Sequence, residues 1–526
     1  MMELTGEHLL GQARSRRGSR EFQAVDPATG EALLPVCADA TDEEINEALQ
    51  VAVQAQAGMK ALPRAARAEF LERIAEEIEA LGDDLLHRGS AETALPLPRL
   101  TMERGRTVGQ LRMFAAVLRE GSYLDACIDH AEPEREPLPK PDLRRIQIPI
   151  GPVLVFGASN FPLAYSVAGG DTASALAAGC PVIVKAHPHH PGTSELVGRA
   201  ILAAIDALSL PPCFSLLHGV SHEVGQKLVK HPDVAAIGFT GSFVGGKAIF
   251  DTAVARPVPI PVHAEMGSTN PIFFLPGALA ENGVSLAAGL AQSVALGVGQ
   301  FCTNPGIVVL LDDPAGECFI ETLTAEMAAA PQGTMLHAGI AAAWRDGLAR
   351  LEAIGGVELR GESAADEGAC SARPTLLMTD ATTFLERSEL REELFGPGTL
   401  VVRCATREQV TAVASSFGGQ LTACVHGTEA DLQDFGELIP LLEEKAGRIL
   451  FGGFPTGVEV CSAMLHGGPF PATTDVRSSS VGSSAISRWL RPVSYQNFPE
   501  RLLPVELRDG NPEGILRIVD GQWGRD

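Results

Sequence analysis

The segment Gly299-Gln300-Phe301-Cys302-Thr303 sets one thiol between an apolar, alanine-rich stretch, Leu286 to Val298, and a strand that begins at Gly306. A cysteine at such a junction can stand exposed at a domain edge, where neighbouring amides help to form the thiolate, the form that attacks carbon. The competing reading is a buried structural cysteine, the commoner fate of a free thiol. Glu265 in His263-Ala264-Glu265-Met266-Gly267-Ser268 follows a short apolar strand and precedes a glycine-containing turn. A half-buried carboxylate there can act as a general base with its pKa raised by desolvation, or it can be an ordinary surface carboxylate. Asn160 lies in Gly157-Ala158-Ser159-Asn160-Phe161-Pro162, and its amide can cap a helix or donate to an oxyanion. Gly238-Phe239-Thr240-Gly241-Ser242-Phe243-Val244-Gly245-Gly246 follows another strand and opens a helix, where free N–H groups favour a phosphate. Its spacing is not the Gly-x-Gly-x-x-Gly of the ordinary βαβ phosphate turn.

These residues need elements to hold them. Residues 41–118 read as helical, with Thr41 as an N-cap and apolar positions such as Phe70, Leu71, Ile74, Ile78 and Leu81 at three- and four-residue spacing. Residues 131–143 are rich in proline and charge, which suits a linker or a change of direction. From 145 onward short apolar runs alternate with helical ones. Strands are expected at Val153–Phe156, Val182–Lys185, Phe214–His218, Ala235–Phe239 and Ile272–Leu275, with helices near 166–179, 192–208, 222–230 and 244–254. That alternation means βαβ units and a parallel sheet. The texture repeats at Gly306–Leu311, Leu400–Arg403, Thr422–His426 and Arg448–Phe451, a second α/β domain. No short repeat period suggests a solenoid.

The bulk numbers agree with an α/β protein of several domains. The chain has 526 residues, 45% of them hydrophobic. Its net charge of −24 argues against a general affinity for nucleic acid or an anionic membrane. No uninterrupted apolar run is long enough for a membrane span. Met1 to Phe22 carries four arginines without an apolar core and reads as a mature cytoplasmic start. The ten cysteines form no CxxC pair, which points to reduced thiols and to no structural metal site.

Taken together and in order, the motifs resemble the aldehyde dehydrogenase superfamily over nearly the whole chain. They are Asn160 before Phe161-Pro162, the Val184-Lys185 strand end, Phe239-Thr240-Gly241-Ser242-x-x-Gly245, Glu265-x-Gly267, Gly299-Gln300-x-Cys302 and Glu393-Leu394-Phe395-Gly396-Pro397. The resemblance implies a Rossmann-like cofactor domain (1–127 and 151–278), an α/β catalytic domain (279–485) and a small oligomerisation element with a C-terminal tail (128–150 and 486–526). It also implies a homodimer or homotetramer. Cys302 would attack the aldehyde, and Asn160 and the Cys302 amide would hold the oxyanion. Glu265 would activate water against the thioester, and no metal is called for. His466, in a glycine-rich turn that the resemblance folds back toward the thiol, is either an assistant in proton removal or a turn residue. On the cofactor, Lys185 would contact the adenosine ribose. Gly241, Ser242 and Gly245 would sit at the pyrophosphate, and Glu393 and Phe395 at the nicotinamide end.

NAD-specific members of that family carry a glutamate three residues after the lysine, and here the position is Pro188. The change removes repulsion of a 2′-phosphate, so NADP is expected, with NAD tolerated. His187 and His222 could help to hold the phosphate, or be ordinary loop histidines. Several segments, among them His466-Gly467-Gly468-Pro469-Phe470-Pro471 and Tyr495-Gln496-Asn497-Phe498-Pro499, look like those of 2-oxoglutarate semialdehyde dehydrogenases. Long-chain fatty aldehyde enzymes are the alternative. An oxo-acid substrate needs a cation for its carboxylate, and Arg112 and Arg477 are the expected ones, with surface ion pairs as the competing reading. A CoA-acylating enzyme is less favoured because Glu265 offers a base for hydrolysis, and a non-catalytic binding protein because Cys302, Glu265 and Asn160 are all present. A cysteine hydrolase needs a histidine base in reach of the thiol, and the two-domain dinucleotide pattern counts against it.

Overall fold

Thr41 opens the first helix with a capping box. Its hydroxyl accepts from the Glu44 amide at 3.2 Å, and the Glu44 carboxylate accepts from the Thr41 amide at 2.9 Å. In the computed structural model, which describes residues 3–364 and 368–525, four helices follow: Asp42–Ala61, Arg64–Ala80, Gly82–Thr93 and Leu97–Glu120. Their apolar stripes bury Ile45, Leu49, Phe70, Leu71, Ile74 and Phe114 against a β-sheet.

That sheet has the strand order Val262–Glu265, Ala236–Thr240, Val153–Phe156, Val182–Lys185, Phe214–Leu217, His8–Leu10, Ala13–Ser15. The first five strands run parallel, and the two N-terminal strands close the edge antiparallel. The chain steps outward from Val153–Phe156 through two strands. It then returns to pair Ala236–Thr240 on the other side. This reversal opens a crevice at the carboxyl ends of those two strands, the place where open α/β sheets bind ligands. The near-continuous Val/Ile/Leu content of the strands fits burial on both faces.

A second sheet runs in the order Glu358–Glu362, Thr375–Asp380, Gly398–Cys404, Ile307–Leu311, Ile272–Phe274, Gln420–His426, Ala446–Phe451. All its pairings are parallel except the first. Ile272–Phe274, expected to end the cofactor unit, lies in the middle of this sheet between Ile307–Leu311 and Gln420–His426. It is a fully buried apolar strand, so its composition matched either sheet. The 278 boundary therefore moves upstream of Ile272. Cys127–Asp129, Leu143–Pro149, Leu490–Gln496, Arg517–Val519 and Gln522–Gly524 form a third, five-stranded sheet. No helix among the described residues is long and apolar enough to cross a membrane.

The C-terminal segment returns to the first sheet's unit through Trp489, which is fully buried. Its indole N–H donates to Ser174 Oγ at 2.7 Å, and Arg488 pairs with Asp171 at 2.6 Å. Trp489→Ala is expected to destabilise the chain by about 3–5 kcal/mol, the usual loss for a large buried aromatic. Urea unfolding followed by circular dichroism measures it, and a loss below about 1 kcal/mol would show that this contact is not what fastens the tail.

Candidate active site

The helix before the thiol is Pro276–Ala295, shorter at its end than the apolar run to Val298 suggests. Gly297, Val298 and Gly299 all take left-handed φ values of 56°, 59° and 65°, which stops the helix. Gly299 has no alternative there. A Cβ on it would stand 2.1 Å from the Gly396 carbonyl oxygen. Val298, β-branched at positive φ, is strained backbone beside a reactive group. After the turn, Asn270 holds the chain from behind. Its side-chain amide donates to the carbonyls of Cys302 and Asn304, each at 2.9 Å.

Cys302 is half-buried, and its Sγ lies 3.4 Å from His466 Nε2. The other nitrogen of that ring, Nδ1, lies 2.6 Å from Glu265 Oε2, which also accepts from the Ser480 hydroxyl. His466 and Glu265 are 4% and 3% exposed, so the pair is shut away from solvent. The loop that carries His466 reaches this place by lying along the strand Val262–Glu265, with Met266 N bonding Ala472 O at 2.7 Å and Thr474 N bonding Ala264 O at 3.1 Å. The structure thus brings Cys302, Glu265 and His466 together, and it sets the imidazole between the other two.

The electrostatics define the roles available. Burial pushes the Cys302 thiol well above its ordinary value, and the carboxylates of Glu265 and Glu393 push the same way, while Arg106 opposes them. Such a thiol needs a base to become nucleophilic. Burial alone would raise Glu265, but His466, the Ser480 hydroxyl and Arg488 outweigh it and hold the carboxyl below its usual range. An ionised Glu265 fixes a proton on Nδ1 and leaves Nε2 as the lone pair facing sulfur. Asn160 Nδ2 donates to the Gln300 carbonyl at 3.0 Å, so its amide lies against the segment that carries the thiol.

Around Cys302 opens a cleft of about 1250 Å³, larger than an ordinary small-molecule pocket. Lys185, His187, Pro188 and His222 line it at the ends of the first sheet's strands. Burial lowers the Lys185 ammonium to about 8, and it donates to the Gly219 carbonyl. Gly241, Ser242 and Gly245 also line it, at the N-terminus of the helix Phe243–Val254, which Ser242 caps by accepting from Gly245 N at 3.2 Å. Glu393 and Phe395 come from the second sheet's unit. Glu393 faces open space, but the cleft walls strip enough hydration to raise its carboxyl to about 7. Glycine at 267 leaves room for its approach to the backbone, since a Cβ there would stand 2.4 Å from Glu393 Oε2 and displace the carboxyl. An anion-binding helix end, a lysine and an opposing carboxylate, set around a sheet's switch point, fit a dinucleotide.

The two expected substrate cations lie elsewhere. Arg112 points away from the buried face of its helix and pairs with Glu79 at 2.7 Å on the surface. Arg477 is 89% exposed and leans toward Asp475. Arg106, half-buried on the same helix as Arg112, takes the place by the thiol. Its Nη2 donates to the Tyr165 hydroxyl at 3.1 Å, its Nε is buried without a partner, and it makes no ion pair with a described carboxylate. Tyr165 in turn packs against His466, ring centres 6.2 Å apart. Helical periodicity alone does not find it. The buried stripe runs from Gln110 on one side to Val108 on the other, so positions 106 and 112 border it equally, and what separates them is the Tyr165 hydroxyl beside Arg106 against the surface Glu79 beside Arg112. Asn270 and Ser480 carried no sequence signal, because their roles depend on partners far along the chain.

Comparison with known proteins follows the same line. Residues 14–439 match the family model described as "Aldehyde dehydrogenase family". The chain is 52% identical over 524 residues to alpha-ketoglutaric semialdehyde dehydrogenase 2 of Azospirillum brasilense, covering 99% of this chain and 100% of that one. It is 43% identical over 523 residues to alpha-ketoglutaric semialdehyde dehydrogenase of Acinetobacter baylyi, covering 99% of each. Among solved structures, 3,6-anhydro-L-galactose dehydrogenase in complex with NAP matches with a TM-score of 0.80 at 20% identity, covering 94% of this chain and 99% of that one. Betaine aldehyde dehydrogenase of Staphylococcus aureus, in complex with NAD+, matches with a TM-score of 0.79 at 17% identity, covering 94% and 97%. At such identities the structural likeness speaks for the fold.

The Cys302–His466 contact makes a prediction that needs no substrate. His466→Ala is expected to slow alkylation of Cys302 by iodoacetamide at pH 7 by about 10²-fold, the lower end of what a positioned base contributes. Mass spectrometry of the labelled Cys302 peptide over a pH series measures it. An unchanged rate would show that the imidazole does not take the thiol's proton.

Proposed function

Because the chain belongs to the aldehyde dehydrogenase family, we propose that it oxidises 2-oxoglutarate semialdehyde to 2-oxoglutarate through a covalent thioester on Cys302. The observation that carries the chemistry is the imidazole of His466 between Cys302 and Glu265 beside a cleft of dinucleotide size. His466 Nε2 takes the thiol's proton, and the charge on Glu265 stabilises the imidazolium. The thiolate adds to the aldehyde carbonyl, and the Asn160 amide and the Cys302 N–H hold the oxyanion. Losing one such donor typically costs about 3–4 kcal/mol. When bound, the nicotinamide dinucleotide accepts the hydride that this carbon loses. Hydrolysis of the thioester then needs a water deprotonated beside sulfur. His466, with Glu265 behind it, is placed to do that, so Glu265 acts with the imidazole rather than alone.

Arg106 supplies what the oxo acid requires, a guanidinium near the thiol with no carboxylate of its own. Arg106→Met is expected to lower kcat/KM for 2-oxoglutarate semialdehyde by about 10–150-fold, the size of a lost hydrogen bond to a charged group, and to leave that for butanal little changed. Cys302→Ala is expected to abolish turnover of both. A wild-type preference for decanal would favour the fatty aldehyde reading, and an equal loss on both substrates in the Arg106 variant would remove its role in specificity.

For the cofactor, the reading is NADP with NAD tolerated. Pro188 lines the cleft where a glutamate would repel a 2′-phosphate, and the acidic residues that line it, Glu392 and Glu393, come from the second sheet's unit. His187 and His222 stand at the same end. The ratio of kcat/KM values for the two cofactors is expected to favour NADP, and a large preference for NAD would overturn it. The five-stranded sheet, whose Leu490–Gln496 strand is an exposed edge, is read as the element that joins copies of the chain into a dimer or tetramer in the cytoplasm.

A further inference from the structure

The three groups that run the chemistry also have the composition of a metal site. Glu265, Cys302 and His466 each offer one ligand atom, and these atoms all lie within 4.8 Å of one another. Thiolate, imidazole and carboxylate are the donors that zinc takes. A tetrahedral ion with a sulfur bond of about 2.3 Å and a nitrogen bond of about 2.0–2.1 Å spans a sulfur–nitrogen edge of about 3.5 Å. The observed separation of Cys302 Sγ and His466 Nε2 is 3.4 Å. That edge is already set to the ion's size.

Two further observations point to a ligand there. Glu265 Oε1 is buried and has no hydrogen-bond partner, in a residue only 3% exposed. A buried acceptor left unpaired is rare and costly. Glu265 Oε2 binds His466 Nδ1 at 2.6 Å, which fixes the tautomer that leaves Nε2 free. A carboxylate on the far nitrogen of a ligating imidazole is the arrangement that orients histidines on zinc. Cys302 lines the cleft, so an ion has a way in and a side open to water.

We propose that Cys302 Sγ and His466 Nε2 reversibly ligate a borderline-soft divalent cation, with Glu265 orienting the imidazole from Nδ1 and zinc as the best natural fit, and that its occupancy silences the enzyme. The Cys302 proton leaves to solvent as the sulfur–zinc bond forms. The ion then occupies both the nucleophile and its base, so occupancy and turnover exclude each other. Magnesium and calcium, which require shells of oxygen ligands, do not substitute. The site stands whichever aldehyde the enzyme takes.

The test uses the full chain without a tag, with the exposed thiols removed as Cys318→Ser and Cys461→Ser. Cobalt(II) is the probe, because a cobalt–thiolate bond gives a charge-transfer band and a tetrahedral ion gives strong visible absorption. One equivalent is expected to bind with both signals, and zinc is expected to displace it. The charge-transfer band should vanish in Cys302→Ser. Affinity should fall at least ~10–100-fold in His466→Ala and Glu265→Gln, since losing even an outer-shell partner has that effect. Dehydrogenase activity should fall with zinc occupancy and return on adding a chelator. A charge-transfer band that survives in Cys302→Ser, or activity unchanged by stoichiometric zinc, would overturn the proposal. The spectroscopic titration does not depend on turnover, so it separates this site from the assignment of the substrate.

Discussion

The imidazole of His466 contacts two groups with opposite needs. On one side is a thiol that burial keeps protonated, and on the other a carboxylate that burial would neutralise. Neither problem is solved without the ring. Glu265 stays ionised in a nearly closed site because the imidazole and the Ser480 hydroxyl compensate its lost hydration, and a buried charge without such partners would be strongly destabilising. Cys302 has a route to the thiolate because Nε2 stands beside it. The loop that supplies His466, the strand that supplies Glu265 and the strained turn that supplies Cys302 have one geometry that serves all three.

Secondary structure delivers these groups from separate directions. Glu265 and Lys185 end strands of the first sheet, and Asn160 and Ser242 stand in turns just after others. Cys302 and Glu393 come from segments that lead into strands of the second. The crevice at the switch point exists because neighbouring crossovers leave on opposite sides. Close approach completes it, since Gly267 admits the Glu393 carboxyl and Gly299 admits the Gly396 carbonyl.

Much of this was legible in the residues. Buried parallel strands read as apolar runs, and glycine and asparagine in turns after strands, with a cysteine in the turn before one, mark the crevice. What failed to read was non-local. Ile272–Phe274 has the same composition in either sheet, and only its pairing with Ile307–Leu311 places it. The strands His8–Leu10 and Ala13–Ser15 are too short to show a period. Arg106 and Arg112 are chemically the same residue at opposite borders of one buried stripe, and only the partners that pack there, Tyr165 and Glu79, separate them. Val298 belongs by composition to the helix before it, yet it sits at left-handed φ because the turn between two glycines outranks helical propensity.

Glu103 is almost fully buried in the helix that carries Arg99 and Arg106. Its Oε1 accepts from the amides of Leu163 and Ala164, at 2.8 and 2.9 Å, and its Oε2 accepts from Arg99 at 2.6 Å. Arg99 lies 4.5 Å over Phe161 and 5.5 Å from the centre of Phe301, the residues beside Asn160 and Cys302. One strut therefore joins the helix that carries Arg106 to the segments that carry Asn160 and Cys302. In the proposed reaction, a substrate held at Arg106 would bear on the same strut that positions Asn160. Binding energy gained far from the scissile hydrogen can in this way be spent on the transition state rather than on affinity alone.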